Sequence, residues 1–167
     1  DICVECLSQV TEDSHARFDA LNRTYKYYIS SKKDPFNYKF SYFFRDKLDV
    51  DKMNESCQRL IKHKNFKCFS KSNTDVKTYD CDIQFAEWSV YENGYKFSIR
   101  ANRFLRNMVR SIVGTMIEIG TQKITDKDFQ IILDSKDRRK AGYSVPASGL
   151  FLTNINYKKI FKTSWRK

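Results

Sequence analysis

The chain has 167 residues, 41% of them hydrophobic and 15% aromatic, with only 5 Gly and 2 Pro. That composition fills one core and excludes a disordered or fibrous class. Its 31 Lys and Arg against 20 Asp and Glu leave a formal charge of +11, which points to a polyanionic partner, nucleic acid before membrane headgroups, and does not specify a fold.

Residues 1–10 read as a short strand. Arg23-Thr-Tyr-Lys-Tyr-Tyr-Ile-Ser30 reads as a second, because aromatic and β-branched residues dominate it. Alternation places Arg23, Tyr25, Tyr27 and Ile29 on one face and Thr24, Lys26, Tyr28 and Ser30 on the other. A loop around Asp34-Pro35 closes that segment. From Val50 to Lys62 the apolar positions Val50, Met53, Cys57, Leu60 and Ile61 recur at helical spacing, with Asp49 as the cap. Residues 79–90 and 95–101 flank Tyr91-Glu-Asn-Gly94, whose Asn93-Gly94 pair suits a tight hairpin turn. A helix is predicted over 103–118, and a shorter one from Thr125 to Leu133, opened by Thr125 with Asp128 three places on. Leu150 to Tyr157 is the last strand. The order implies an α+β fold, a largely antiparallel sheet with helices packed on one face.

Five cysteines, Cys3, Cys6, Cys57, Cys68 and Cys81, stand beside only two histidines. They form no zinc spacing, so a reducing compartment and no metal are expected. Cys3 and Cys6 have C-x-x-C spacing, but strand alternation puts them on opposite faces, and no helix start follows. No stretch approaches about 18 apolar residues and no basic-then-apolar leader opens the chain, so a soluble, cytoplasmic protein without a membrane role is expected. A start at Asp1, without Met, also reads as that of a fragment.

The helix predicted over 103–118 carries most of the candidate chemistry. At about 100° per residue, its apolar residues fill one broad arc, and Arg103, Arg106 and Arg110 line one margin. Arg110 has Val113 and Ile117 as neighbours one and two turns on, which makes it half buried. No acid on that helix lies near it. Either the guanidinium snorkels to solvent, or its anionic partner is on the substrate or on chain outside this sequence. Tyr25 is either an ordinary core residue or a ring that stacks on a base. Arg23 shares its face and offers a phosphate contact, and Lys71, Lys77, Arg138, Arg139 and Lys140 extend a basic surface. His15 and His63 are isolated, and no Ser/His/Asp set, phosphate-binding glycine loop or carboxylate pair makes a self-sufficient active site.

Four segments, in order, resemble the C-terminal half of the TruA family of tRNA pseudouridine synthases. They are His15-Ala-Arg-Phe18 with Arg23-Thr-Tyr-Lys-Tyr27; Phe66 to Tyr79; Ala101-Asn-Arg-Phe-Leu-Arg-Asn-Met-Val-Arg110-Ser-Ile-Val-Gly114; and Asp137-Arg138 through Gly149-Leu-Phe-Leu152. The resemblance implies a pseudouridine synthase-like fold, in which residues 1–167 form the C-terminal, RNA-binding domain. The N-terminal domain, whose Arg-Thr-Asp-x-Gly-Val-His motif carries the catalytic aspartate, is absent. The implied activity isomerises uridines of the tRNA anticodon arm, positions 38–40, to pseudouridine. The base is detached from its ribose and reattached through carbon, with no cofactor, by a homodimer of the full-length protein. Arg110 matches the arginine that pairs with that aspartate, and Tyr25 the tyrosine that packs on the target uracil. Arg23, Arg103, Arg106 and Lys77 are the implied RNA contacts.

The sequence departs from the family pattern at Arg106 and Asn107, where a His pair is common, and at Ser111 for Asn, Lys77 for Arg and Val145 for Ala. Those departures bear on the finer tRNA contacts, since Lys and Arg are not equivalent at a bidentate phosphate. The fragment is expected to be inactive alone. The competing readings are a stand-alone, non-catalytic RNA-binding module and a protein-interaction domain with an incidental basic face.

Overall fold

The aromatic, β-branched run becomes the spine of a sheet. In this computed structural model, which describes residues 2–71, 76–92, 94–158 and 161–164, the strands are β1 (Ser8–Val10), β2 (Ala20–Ser30), β3 (Tyr42–Phe43), β4 (Ile83–Tyr91), β5 (Gly94–Ala101), β6 (Leu150–Tyr157) and β7 (Phe161–Ser164). The helices are α1 (Val50–Lys62), α2 (Met108–Gly120) and α3 (Asp126–Ser135). One sheet has the order β3-β2-β5-β4, and β6 lies along the same edge of β2 as β3. Its pairings are antiparallel except for the short parallel contact of β3 with β2. β1 and β7 form a separate antiparallel pair. The architecture is α+β, as expected.

Register sorts the side chains onto two faces. Tyr25 pairs with Ile99, Tyr27 with Phe97 and Ile29 with Tyr95. With Trp88 and Ala86 of β4, the inward members of these pairs form the floor of a core roofed by Met53, Cys57 and Leu60 of α1, Met108, Ile112 and Met116 of α2, and Phe129 and Leu133 of α3. Tyr27, Ile29, Phe97 and Ile99 are wholly buried, and burying aromatic and branched side chains is the main favourable term in folding. On the other face Tyr28 meets the rings of Tyr91 and Phe151 edge-on. β4 is an edge strand, and α1 blunts it. The Asn54 amide donates to the Trp88 carbonyl at 3.0 Å and accepts from its N–H at 2.7 Å, supplying the pairing that a neighbouring strand would otherwise provide.

Local signals account for most boundaries. Asp49 accepts from the Lys52 N–H and caps α1, and Thr125 and Asp128 close a capping box on α3. In the β4–β5 hairpin Gly94 has φ +149°, and a Cβ there would lie 2.1 Å from the Ile29 carbonyl oxygen, so only glycine fits. Asn93, its predicted turn partner, lies outside the described residues.

Two expectations are corrected. The strand predicted over 1–10 is limited to Ser8–Val10, because Ile2, Val4 and Leu7 are exposed and find no neighbouring strand to pair with among the described residues. The helix predicted over 103–118 begins only at Met108 and runs to Gly120. The segment leading into it is instead tied to other loops: the N–H of Asn102, just before the predicted start, donates to the Asp82 carbonyl, the Lys71 N–H donates to the Arg106 carbonyl, and Asn107 takes the left-handed conformation at φ 68°. Arg103 and Arg106 therefore do not share a helix margin with Arg110.

Candidate functional site

The amino end of α2 and the strap Ala141–Pro146 that crosses it hold the candidate site together. Gly114 makes the crossing possible, since a Cβ at that position would sit 1.8 Å from the Tyr143 carbonyl oxygen. Polar groups then fasten the strap. The Gly142 N–H donates to Thr115 Oγ1 at 2.9 Å, and the Val145 N–H to the Arg110 carbonyl at 3.3 Å. Left-handed Asn107 turns its amide onto Ser144 Oγ at 2.6 Å and Ser111 Oγ at 3.2 Å. Two departures from the family pattern, Asn107 and Ser111, are thus hydrogen-bonded neighbours that share the Ser144 hydroxyl.

Arg110 is half-buried in the first turns of α2. Its Nε donates to the Val145 carbonyl at 2.6 Å, and no carboxylate among the described residues forms an ion pair with it. The nearby phenol of Tyr27 donates to the Pro146 carbonyl at 2.7 Å. Burial pushes the Tyr27 phenol well above the ordinary tyrosine value, and Tyr42 adds to that, while the positive charge of Arg110 acts in the opposite sense. Tyr143 is raised likewise, chiefly by burial and then by its contact with the Tyr42 hydroxyl at 3.3 Å. The guanidinium therefore has a peptide carbonyl and the neutral Tyr27 phenol near it, a setting that favours an added anion.

Tyr25 is partly buried on the same face of the sheet, its ring edge-on to Phe104 at 5.1 Å. Arg23 is engaged differently from a phosphate contact: its guanidinium donates to the Ala20 carbonyl at 3.0 Å, the Asn102 carbonyl at 2.7 Å and the Arg17 carbonyl. Arg103 is partly buried, and its charge acts on Cys81. Arg106 and Lys77 are exposed. Arg138, which the sequence reading placed on a basic surface, donates to the Ala141 and Gly142 carbonyls at 3.2 and 3.0 Å and to Ser144 Oγ at 2.9 Å. An open groove of about 400 Å³ lined by Lys67, Lys71, Tyr79, Lys136, Arg138 and Arg139 adjoins it.

Sequence reasoning missed the strap, the Tyr27 hydroxyl bond and the Asn107–Ser111–Ser144 cluster. One signal was present: a glycine inside a helix costs about 1 kcal/mol against alanine and marks a close approach of other chain.

Residues 57–158 match the family model for tRNA pseudouridine synthase. The chain belongs to the tRNA pseudouridine synthase family. A tRNA pseudouridine synthase A of Parabacteroides distasonis is 49% identical over 157 residues, which is 94% of this chain and 62% of that protein. The Bacteroides thetaiotaomicron protein of the same name is 47% identical, covering 100% of this chain and 64% of its own length, and one from Staphylococcus carnosus is 34% identical over 93% of this chain. This pseudouridine synthase family chain thus spans less than two thirds of the relatives it matches.

Proposed function

We propose that this chain is the C-terminal part of a tRNA pseudouridine synthase, in which Arg110 receives the catalytic aspartate of the remaining part. The observation that carries the reading is the Arg110 guanidinium, oriented through Nε by the Val145 carbonyl and without an acid partner among the described residues. An arginine paired with a carboxylate favours its ionised form and fixes its direction. The ionised aspartate then acts on a uridine turned out of its stack, whose uracil lies against Tyr25 while the glycosidic bond breaks and the base rejoins the ribose through carbon. Exposed Arg106 and Lys77, with Arg103, hold the tRNA backbone; Arg23 serves the fold through its three carbonyl bonds. The same reading carries a homodimeric, cytoplasmic protein. No helix among the described residues is long and apolar enough to cross a membrane.

The test is pseudouridine formation on unmodified tRNA by the full-length protein containing this chain. Arg110→Ala is expected to lower the rate by about a hundredfold or more while the protein still melts cooperatively. A wild-type rate in that variant would refute the assignment. A full-length wild-type protein that binds tRNA and forms no pseudouridine would establish the binding-module reading instead.

A further inference from the structure

We infer that Arg138 is a positioning residue that sets the Arg110 guanidinium through the strap, and is not a contact for the RNA backbone. The inference rests on the reading that Arg110 meets the catalytic aspartate. Three of the five donors of Arg138's planar fork are at most needed for its bonds to the Ala141 and Gly142 carbonyls and the Ser144 hydroxyl, and these anchor both ends of a four-residue stretch. Ser144 is also bonded by Asn107, which precedes α2, and by Ser111 of α2. The next residue, Val145, presents the carbonyl that receives Arg110 Nε at 2.6 Å. Arg138 is therefore linked to Arg110 by its hydrogen bond to Ser144, the Ser144–Val145 peptide bond and the hydrogen bond of Arg110 Nε to the Val145 carbonyl. Arg138 also forms no ion pair among the described residues, and its bonds go to peptide and hydroxyl oxygens, a set that a single ammonium cannot match in geometry.

A positioning role and a phosphate contact predict opposite kinetics. In the full-length protein Arg138→Lys keeps the charge and loses the fork. Its kcat on unmodified tRNA is expected to fall by about tenfold or more, with KM within about twofold of wild type, because misplacing a catalytic group lowers the chemical step without weakening binding. Ser144→Ala, which leaves every charge in place, is expected to act in the same direction and covers the case in which Arg138→Lys does not fold. Hydrogen exchange at the Arg110 Nε–H, followed by nuclear magnetic resonance, is expected to accelerate by about tenfold or more in both variants. A rise in KM with kcat held, restoration of wild-type kinetics by lysine, or unchanged Nε–H exchange in the folded variants would overturn the inference. If wild-type protein forms no pseudouridine, the functional reading fails, and the exchange measurement alone decides whether Arg138 holds Arg110.

Discussion

Replacing Gly114 with alanine sets two calculable effects against each other. In an ordinary helix the change stabilises by about 1 kcal/mol, because alanine lowers the backbone entropy lost on folding. Here the new Cβ would lie 1.8 Å from the Tyr143 carbonyl oxygen and 2.9 Å from its carbon, so the strap has to retreat by on the order of 1 Å to restore contact distances. That retreat strains the bonds from the Gly142 N–H to Thr115, from Arg110 Nε to the Val145 carbonyl and from Arg138 to Ser144, which stand at 2.9, 2.6 and 2.9 Å. Three such bonds at about 1 kcal/mol each, less the helix gain, leave a net loss of about 2 kcal/mol. For a domain of this size that lowers the thermal midpoint by about 4–8 °C. Circular dichroism melts of wild type and Gly114→Ala at one pH give the comparison. An equal or higher midpoint in the variant would mean that the helix term prevails and that the strap does not press on α2.

Three further outcomes are expected. Thr125→Ala removes the hydroxyl half of the α3 capping box, the bond from the Asp128 N–H, and leaves the backbone bond from residue 125 to the Asp128 carboxylate; it should lower the midpoint by about 2–4 °C, whereas Thr125→Ser should retain most of it; equal losses in the two variants would contradict the hydroxyl's role. Hydrogen bonds from Arg59, opposed by burial and aided by Ser56, hold the Asp126 carboxyl below its usual range. Its folded-state value is depressed, so its stabilisation is present above the unfolded value of about 4 and is lost as pH falls through the folded value. The pair is about a third exposed, so the stability gap between wild type and Asp126→Asn should be at most about 1 kcal/mol at neutral pH and shrink by pH 3 in urea titrations; a gap equal at both would refute the pairing. Burial pushes the thiols of Cys57 and Cys68 up to about 12 and that of Cys81 to about 11, while Cys3 and Cys6 are exposed. A thiol reagent at neutral pH, mapped by mass spectrometry, should therefore label only Cys3 and Cys6 of this chain before unfolding.

The elements that sequence predicts well are those whose periodicity and punctuation agree. α1 carries five apolar residues at helical spacing and a capping aspartate, and it forms at Val50–Lys62 as read. β6 likewise forms at Leu150–Tyr157. β1, β3 and β7 have between two and four residues each, and their existence depends on distant partners. The start of α2 misleads for a related reason. Phe104 and Leu105 continue the apolar arc of the helix, and Leu105 is indeed buried, yet a loop held by Lys71 and Asp82 buries it as effectively as another turn would. Hydrophobic spacing reports which side chains go inside, and only the hydrogen-bond partners decide the backbone that carries them.

The same distinction divides the candidate site. A half-buried Arg110 could be read from Val113 and Ile117 because its environment is set by its own helix. What holds the guanidinium is the Val145 carbonyl, 35 residues away in sequence, and nothing in a valine announces that its carbonyl will be used. Arg23 and Arg138 show the converse: as sequence each is another positive charge in a chain of net charge +11, while in the fold each guanidinium binds three oxygen acceptors of the chain itself. Both cations are therefore also internal fasteners. The attraction between a polyanion and this net charge depends on the total and is unaffected by those internal bonds; direct contacts with one would fall to donors that still face solvent.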